Sequence, residues 1–187
     1  MSAGSKKPND ERKPAEDEFG TASAPGTFRI ERMLPGPIER VWAYLTEPEK
    51  RRKWLAAGEM ELKAAGRVKL RFRFADLSGE TRPPGRDQEC EIDGRITRCE
   101  PPRLLSYTWD NEPDASEVSF ELTPRGKDVL LVVTHRRLSD RGKMVSVASG
   151  WNTHLGILTD HLDGREPRAF WSTKFRMEAE YEKRLPT

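Results

Sequence analysis

The sequence predicts an α+β fold: an antiparallel sheet of short strands, two short helices after its first strand, and one long helix near the C-terminus. Three patterns carry this expectation. Apolar and polar residues alternate from Glu59 to Arg136, the period of half-buried strands. Apolar residues recur every three or four positions from Met144 to Leu162, the period of one helix face. Pro- and Gly-rich breaks such as Pro83-Pro84-Gly85 and Pro101-Pro102 separate the alternating stretches. A chain of 187 residues fits one domain with appendages. Its longest aliphatic run, Val129 to Val133, is far short of the ~20 residues a membrane-spanning helix needs.

Residues 1–26 hold no Leu, Ile or Val and a single aromatic, Phe19. That is too little apolar surface to offset ordering entropy, so a disordered tail is expected there. The domain is expected over 27–164 and a helical extension over 165–187. Phe28, Ile30 and Arg32 alternate with Arg29, Glu31 and Met33, which suits a strand stopped by Pro35-Gly36-Pro37. Pro37 is compatible with a first helical turn, and Ile38, Val41, Trp42 and Leu45 then fall on one helix face. Thr46 and Glu49, spaced as a capping box around Pro48, predict a second helix running to about Trp54.

Val68, Leu70, Phe72 and Phe74 oppose Arg67, Lys69, Arg71 and Arg73, so the apolar four face the core. Residues 75–87 read as a loop. In the next alternating stretch Asp93-Gly94 is a local hairpin signal. Leu105, Tyr107 and Trp109, then Val118, Phe120 and Leu122, then Val129 to Arg136 after a turn at Gly126, continue the meander. Met144, Val147, Trp151, Leu155, Leu158 and Leu162 mark the long helix, with Ser139 or Asp140 to cap its start and Gly164 its end. Gly142, Gly150 and Gly156 within it predict close approach of a neighbour or a loosened turn. A last helix carries Phe170, Trp171, Phe175, Tyr181 and Leu185.

Basic and acidic residues number 33 and 31, a net charge of +2, which gives no electrostatic footprint for nucleic acid or an anionic membrane. Neither is an expected partner. The N-terminus reaches no apolar stretch and the chain has two cysteines, so a cytoplasmic location is expected rather than a secreted, disulfide-built one. The stripe Arg67, Lys69, Arg71 and Arg73 has Glu89 and Glu91 available for cross-strand ion pairs and no interleaved aromatic, so it reads as a solvated face. Leu130 and Val132 oppose Leu131 and Val133 and leave an apolar patch outside, for the terminal helix or a second copy of the chain to cover. A homodimer is the second of those two expectations.

One strand, two short helices, a strand meander and one long helix is the order of a helix-grip fold, in which a curved antiparallel sheet wraps the long C-terminal helix. Phe28 to Leu34, followed by Val41-Trp42, Leu45-Thr46 and Trp54, resembles the opening of the SRPBCC (START-like) superfamily. Gly94, Ile96 and the run from Glu100 to Trp109 resemble the central strands of one branch, the one similar to the C-terminal domain of the activator of the heat-shock protein 90 ATPase. Ser116-Glu117-Val118, Phe120-Glu121-Leu122, Thr134-His135, Gly150-Trp151, His154-Leu155 and the ending from Phe170-Trp171 to Leu185 are similar to that branch too. The resemblance covers residues 27–187 and implies one long strand through Gly94, with the glycine at a bulge, rather than a hairpin. It further implies a cavity between sheet and long helix, used across the superfamily for lipids, polyketides, hormones and other apolar molecules, and in a few relatives for cyclase or aromatase chemistry. True chaperone activators in this branch carry a separate N-terminal domain with an Asn- and Trp-rich contact motif. The 26 polar residues ahead of this domain match no such unit, so a chaperone partner ranks last among the expectations.

No Cys-x-x-Cys, His-Glu-x-x-His or Gly-x-Ser-x-Gly occurs, and no cofactor is expected. His154 and His161 share a helix face but stand about 10.5 Å apart along the axis at ~1.5 Å per residue, too far for one ion even with His135 opposite. No metal site is expected. If strand parity holds through Gly94, Arg98 points inward with Ile96 and needs a carboxylate, its own or a ligand's. A bulge turns Arg98 to solvent and Cys99 inward instead. Phe72, Tyr107, Trp109, Phe120 and Trp151 share the interior as either a filled core or an aromatic-lined pocket. With Arg98, His135 and His154 they have the makeup of a small-molecule site. The expected function is binding of a small, largely apolar ligand, acidic if Arg98 meets it, with no residue assigned a catalytic role. The alternatives are a cyclase-, aromatase- or hydrolase-like enzyme using His135 or His154 as acid/base, and a chaperone or regulatory partner-binding protein.

Overall fold

The structure, a computed structural model, describes residues 18–86 and 89–187. Strands β1 (Thr21–Ala24) and β2 (Thr27–Pro35) lead into helices α1 (Ile38–Thr46) and α2 (Pro48–Arg51). Six strands follow: β3 (Ala57–Met60), β4 (Arg67–Arg73), β5 (Glu89–Glu100), β6 (Leu104–Thr108), β7 (Glu117–Arg125) and β8 (Asp128–Arg136). Helices α3 (Arg141–Leu162) and α4 (Phe170–Arg184) complete the chain. The strands form one antiparallel sheet in the order β1-β2-β8-β7-β6-β5-β4-β3, an open, curved sheet around α3. This is the helix-grip architecture. No helix among the described residues is long and apolar enough to cross a membrane.

The core lies between the concave face of the sheet and α3. A row of inward residues crosses five strands in register: Ile96 opposite Tyr107, Tyr107 opposite Val118, Val118 opposite His135, and His135 opposite Phe28. All five are buried. The start of α3 is capped by Asp140, whose side chain accepts from the Lys143 amide at 2.7 Å, and Gly164 follows its end with φ +68°. Gly156 answers the expectation of close approach, since a side-chain carbon there would sit 2.7 Å from the Arg168 guanidinium. Arg168 in turn grips the buried Asp160 carboxylate through its amide, Nε and Nη2, fixing the turn into α4.

Four sequence expectations change. Residues 1–17 of the expected tail lie outside the described residues, but residues 18–26 are structured. β1 pairs with β2, and Phe19 packs edge-on against Tyr181 at 5.7 Å, with the Arg184 guanidinium 3.8 Å above its ring. An edge strand is held by its backbone ladder, so Thr-Ala-Ser-Ala needs no apolar face to form one. The capping box does not form: the Thr46 hydroxyl donates to the Trp42 carbonyl at 2.9 Å within α1, and α2 ends at Arg51. The terminal helix does not cover the outer pair, because α4 packs on α3; Leu130 stays half-buried there beside the exposed Met33, while Val132 is buried between the strand neighbours Glu31 and Glu121.

The fourth change concerns β5. It is one strand of 12 residues, as the resemblance implied, but Gly94 lies in regular pairing opposite Val68. Glycine is needed there because a side-chain carbon would fall on the Thr108 carbonyl oxygen. The bulge sits three residues on, where the pairing jumps from Ile96 opposite Tyr107 to Arg98 opposite Ser106. Gly94→Ala is therefore expected to lower stability by about 1–3 kcal/mol through backbone displacement. Urea denaturation checks this, and an unchanged midpoint would count against the close approach. Along the basic stripe, Arg67 pairs with Asp93 at 2.6 Å, Lys69 with Glu91 at 3.9 Å and Arg73 with Glu89 at 3.3 Å, a balanced surface.

Candidate functional site

Seven of the eight side chains singled out from the sequence meet between sheet and α3. Phe72 comes from β4, Tyr107 from β6, Trp109 from the position just after β6, Phe120 from β7, His135 from β8, and Trp151 and His154 from α3. Trp109 is the hub, with ring centroids 6.1 Å from Tyr107, 5.2 Å from His135, 5.6 Å from Trp151 and 6.0 Å from Phe72. Phe120 bridges Tyr107 and Trp151 at 5.8 and 5.4 Å, and His154 continues from Phe72 at 6.0 Å. Alternation along the strands places these rings on one face, and α3 lays its own two against them.

Arg98 is the exception and a correction. The bulge at Thr97 adds one residue to β5, so Arg98 turns to solvent, its side chain 61% exposed and paired with Glu100 at 3.0 Å. Cys99 takes the inward direction and is half-buried, and burial pushes its thiol up. Arg98 belongs to an outer concavity of about 240 Å³ that it shares with Ser106, Ser119 and Arg136. A larger surface hollow of about 600 Å³ lies among charged residues of α2 and β4. Neither reaches the ring cluster, whose members pack ring against ring.

The two buried histidines are neutral and their tautomers follow from their partners. Indole N–H only donates, so Trp151 Nε1 at 3.1 Å makes His135 Nδ1 an acceptor, and His135 Nε2 donates to Ser116 Oγ at 2.9 Å. Burial pushes His135 down to about 3, helped by the Arg137 and Lys143 charges. Both its nitrogens are engaged in hydrogen bonds within the protein. His154 Nδ1 faces a carbonyl, Trp54 O at 2.7 Å, and must donate, so its lone pair is on Nε2. Burial lowers His154 to about 4, against the hydrogen bond to Trp54. His161 Nε2 contacts the carbonyl of Lys53 at 3.0 Å, so both helix histidines hold the segment after α2. No group of three metal-ligating side chains gathers among the described residues.

Two features escaped sequence reasoning. Phe170 and Phe74 extend the cluster beyond His154, with centroids 4.8 Å apart and Phe170 5.3 Å from His154. Phe74 carried a signal, since it shares strand parity with Phe72. The loop after it closes on the start of α4, where the Ser78 hydroxyl accepts from the Phe170 amide and the Glu80 carboxylate from the Trp171 amide. The second feature is Arg51, the last residue of α2, which is fully buried. It sits in the charged run from Glu47 to Lys53, and nothing in that run distinguishes it from its exposed neighbours.

The family described as Activator of Hsp90 ATPase homolog 1-like protein matches residues 35–163 of the chain. Among solved structures, a Bordetella parapertussis protein determined by solution NMR is 43% identical, with 91% of this chain and 92% of that one covered and a TM-score of 0.76. The crystal structure of CalU16 from Micromonospora echinospora is 23% identical, with 84% of this chain and 86% of that one covered and a TM-score of 0.63. DynU16, a protein of the dynemicin biosynthetic locus, is 19% identical, with 76% of this chain and 49% of that one covered and a TM-score of 0.60. The last two share the fold. No curated protein matches the chain.

Proposed function

The chain belongs to the Activator of Hsp90 ATPase homolog 1-like family of the SRPBCC superfamily, and from that premise we propose that it binds a small, largely apolar molecule between the sheet and α3. The observation that carries this reading is the ring cluster around Trp109: contiguous aromatic surface, with two neutral histidines as its polar points. Such a lining, apolar with few polar groups, is what small-molecule sites present. Because the rings pack against one another, a ligand enters by parting them, and Trp151 offers the largest single surface on α3.

The test pairs native mass spectrometry of freshly purified protein with titration of N-phenyl-1-naphthylamine, a neutral apolar fluorophore. Trp151→Ala is expected to weaken the fluorophore at least about tenfold, in line with the loss of a buried indole contact. Arg98→Ala, on the outer face, is expected to leave it within about twofold. A stoichiometric small molecule on the purified protein would identify the chemical class directly. A protein that carries no such molecule and takes up no fluorophore would overturn the reading and leave partner binding as the function to pursue.

A further inference from the structure

The interior holds a charge that no carboxylate among the described residues balances. Arg51, at the end of α2, is 0% exposed, and three backbone carbonyls hold its guanidinium. Nε donates to Ala56 O at 3.3 Å, Nη1 to Thr46 O at 2.9 Å and Nη2 to Gly58 O at 2.6 Å. Carbonyls satisfy N–H groups without supplying a counter-charge, and among the described residues no carboxylate pairs with Arg51. A guanidinium has five N–H groups, so these three bonds do not exhaust its donors. Positive charge left in a low-dielectric interior favours whatever negative charge can reach it.

The group within electrostatic reach of Arg51 is Tyr107. Tyr107 is 1% exposed, and its ring stacks in the cluster between Trp109 and Phe120. Among the described residues its hydroxyl meets no hydrogen-bond partner. A buried hydroxyl is ordinarily satisfied, because desolvating it without a partner is unfavourable. Here a buried phenol with an unused hydrogen bond and a buried guanidinium with unused donors, paired with no carboxylate among the described residues, act on each other electrostatically. Both are complemented by one thing, an acceptor that carries negative charge. Ionisation of Tyr107 does not provide it, since burial raises the phenol further above its ordinary range.

We propose that Tyr107 and Arg51 form the polar end of the ligand site and that the molecule bound among the rings is an apolar acid, its anionic group accepting from the Tyr107 hydroxyl and facing the Arg51 guanidinium. This rests on the reading that the ring cluster binds a small molecule. It gives Arg51 the part that strand parity had offered to Arg98.

A matched pair of probes tests it: N-phenyl-1-naphthylamine and its 8-sulfonate, 1-anilinonaphthalene-8-sulfonate, which share a ring skeleton and differ by the anionic group. At pH 8 the parent is expected to bind the sulfonate at least about tenfold more tightly than the neutral amine, with the two competing for one site. Tyr107→Phe keeps the ring and removes the hydroxyl. It is expected to cut that preference at least about fivefold and to leave the thermal midpoint of the unliganded protein no lower than the parent's. Arg51→Lys, which keeps charge but not the planar fork, should cut the preference as well if it folds; Tyr107→Phe decides the matter if it does not. Equal affinity of the parent for both probes, or full preference retained in Tyr107→Phe, would show a hydroxyl satisfied by water alone and overturn the proposal while leaving the ring site standing. Uptake of neither probe would remove the ring site itself.

Discussion

Between pH 7 and pH 5 the protein is expected to lose about 4 kcal/mol of unfolding free energy, roughly 2 kcal/mol from each of two histidines. Burial holds His135 near 3 and His154 near 4, whereas an unfolded histidine titrates near 6.5. Below 6.5 the unfolded chain therefore binds protons that the folded chain refuses. The contribution is complete above that pH and is lost as pH falls, until each group reaches its folded value. Protonating His135 on Nδ1 would also displace the Trp151 indole that donates to it. Carboxylates contribute in a lower window. Asp160, where the Arg168 and Arg165 partners outweigh the upward push of burial, is held below its ordinary value and matters only in stronger acid. Urea denaturation at pH 7 and pH 5 measures the loss, and His154→Gln should remove about half of it. A free energy unchanged over this range would contradict the neutral, buried state of both rings.

Arg51→Met is expected to destabilise the fold by about 3 kcal/mol, at the upper end of what a single substitution ordinarily does. The methionine fills much of the volume but leaves the carbonyls of Thr46, Ala56 and Gly58 without the donors that join α1, α2 and β3. An unpartnered buried acceptor costs roughly 1–3 kcal/mol, so three of them outweigh the relief of no longer burying a charge. Replacing every member of a buried polar cluster by apolar groups is often harmless, but backbone carbonyls cannot be replaced. Tyr107→Phe removes a hydroxyl that has no partner among the described residues and so carries no such loss. Urea denaturation separates the two variants. A shift below about 1 kcal/mol for Arg51→Met would mean that the carbonyls find other donors.

Periodicity made the helices α1 and α3 and the strands β4 and β6 to β8 legible, because burying one face forces a pattern that survives in the sequence. It missed β1, whose small residues are held by backbone bonds that leave no trace in side-chain identity. Asp93-Gly94 misled locally: the glycine serves a carbonyl passing from β6, a tertiary demand that mimics a turn signal. In the candidate site, the rings were legible because aromatic residues on the inward parity of a strand have nowhere else to go. Arg98 was misplaced because one inserted residue at Thr97 reverses every direction after it, and a bulge is set by the neighbouring strand as much as by its own sequence. Arg51 was invisible for a different reason. Its burial depends on three carbonyls gathered from residues 46, 56 and 58, and no run of residue types announces that gathering.

The contact between Phe19-Gly20 and Tyr181 has a bearing on the order in which the molecule forms. The Gly20 amide donates to the Tyr181 hydroxyl at 2.9 Å across a sequence separation of 161 residues. A bond of that span closes a loop containing almost the whole domain, and the chain entropy of such a closure is met only when the intervening sheet already exists. The β7–β8 and β4–β5 ladders are local by comparison and can assemble first. The contact between the two ends of the described chain is therefore expected to form late, after the nearer pairings are in place. On that expectation the docking of β1 against the final turns of α4 seals a sheet whose nearer pairings come first.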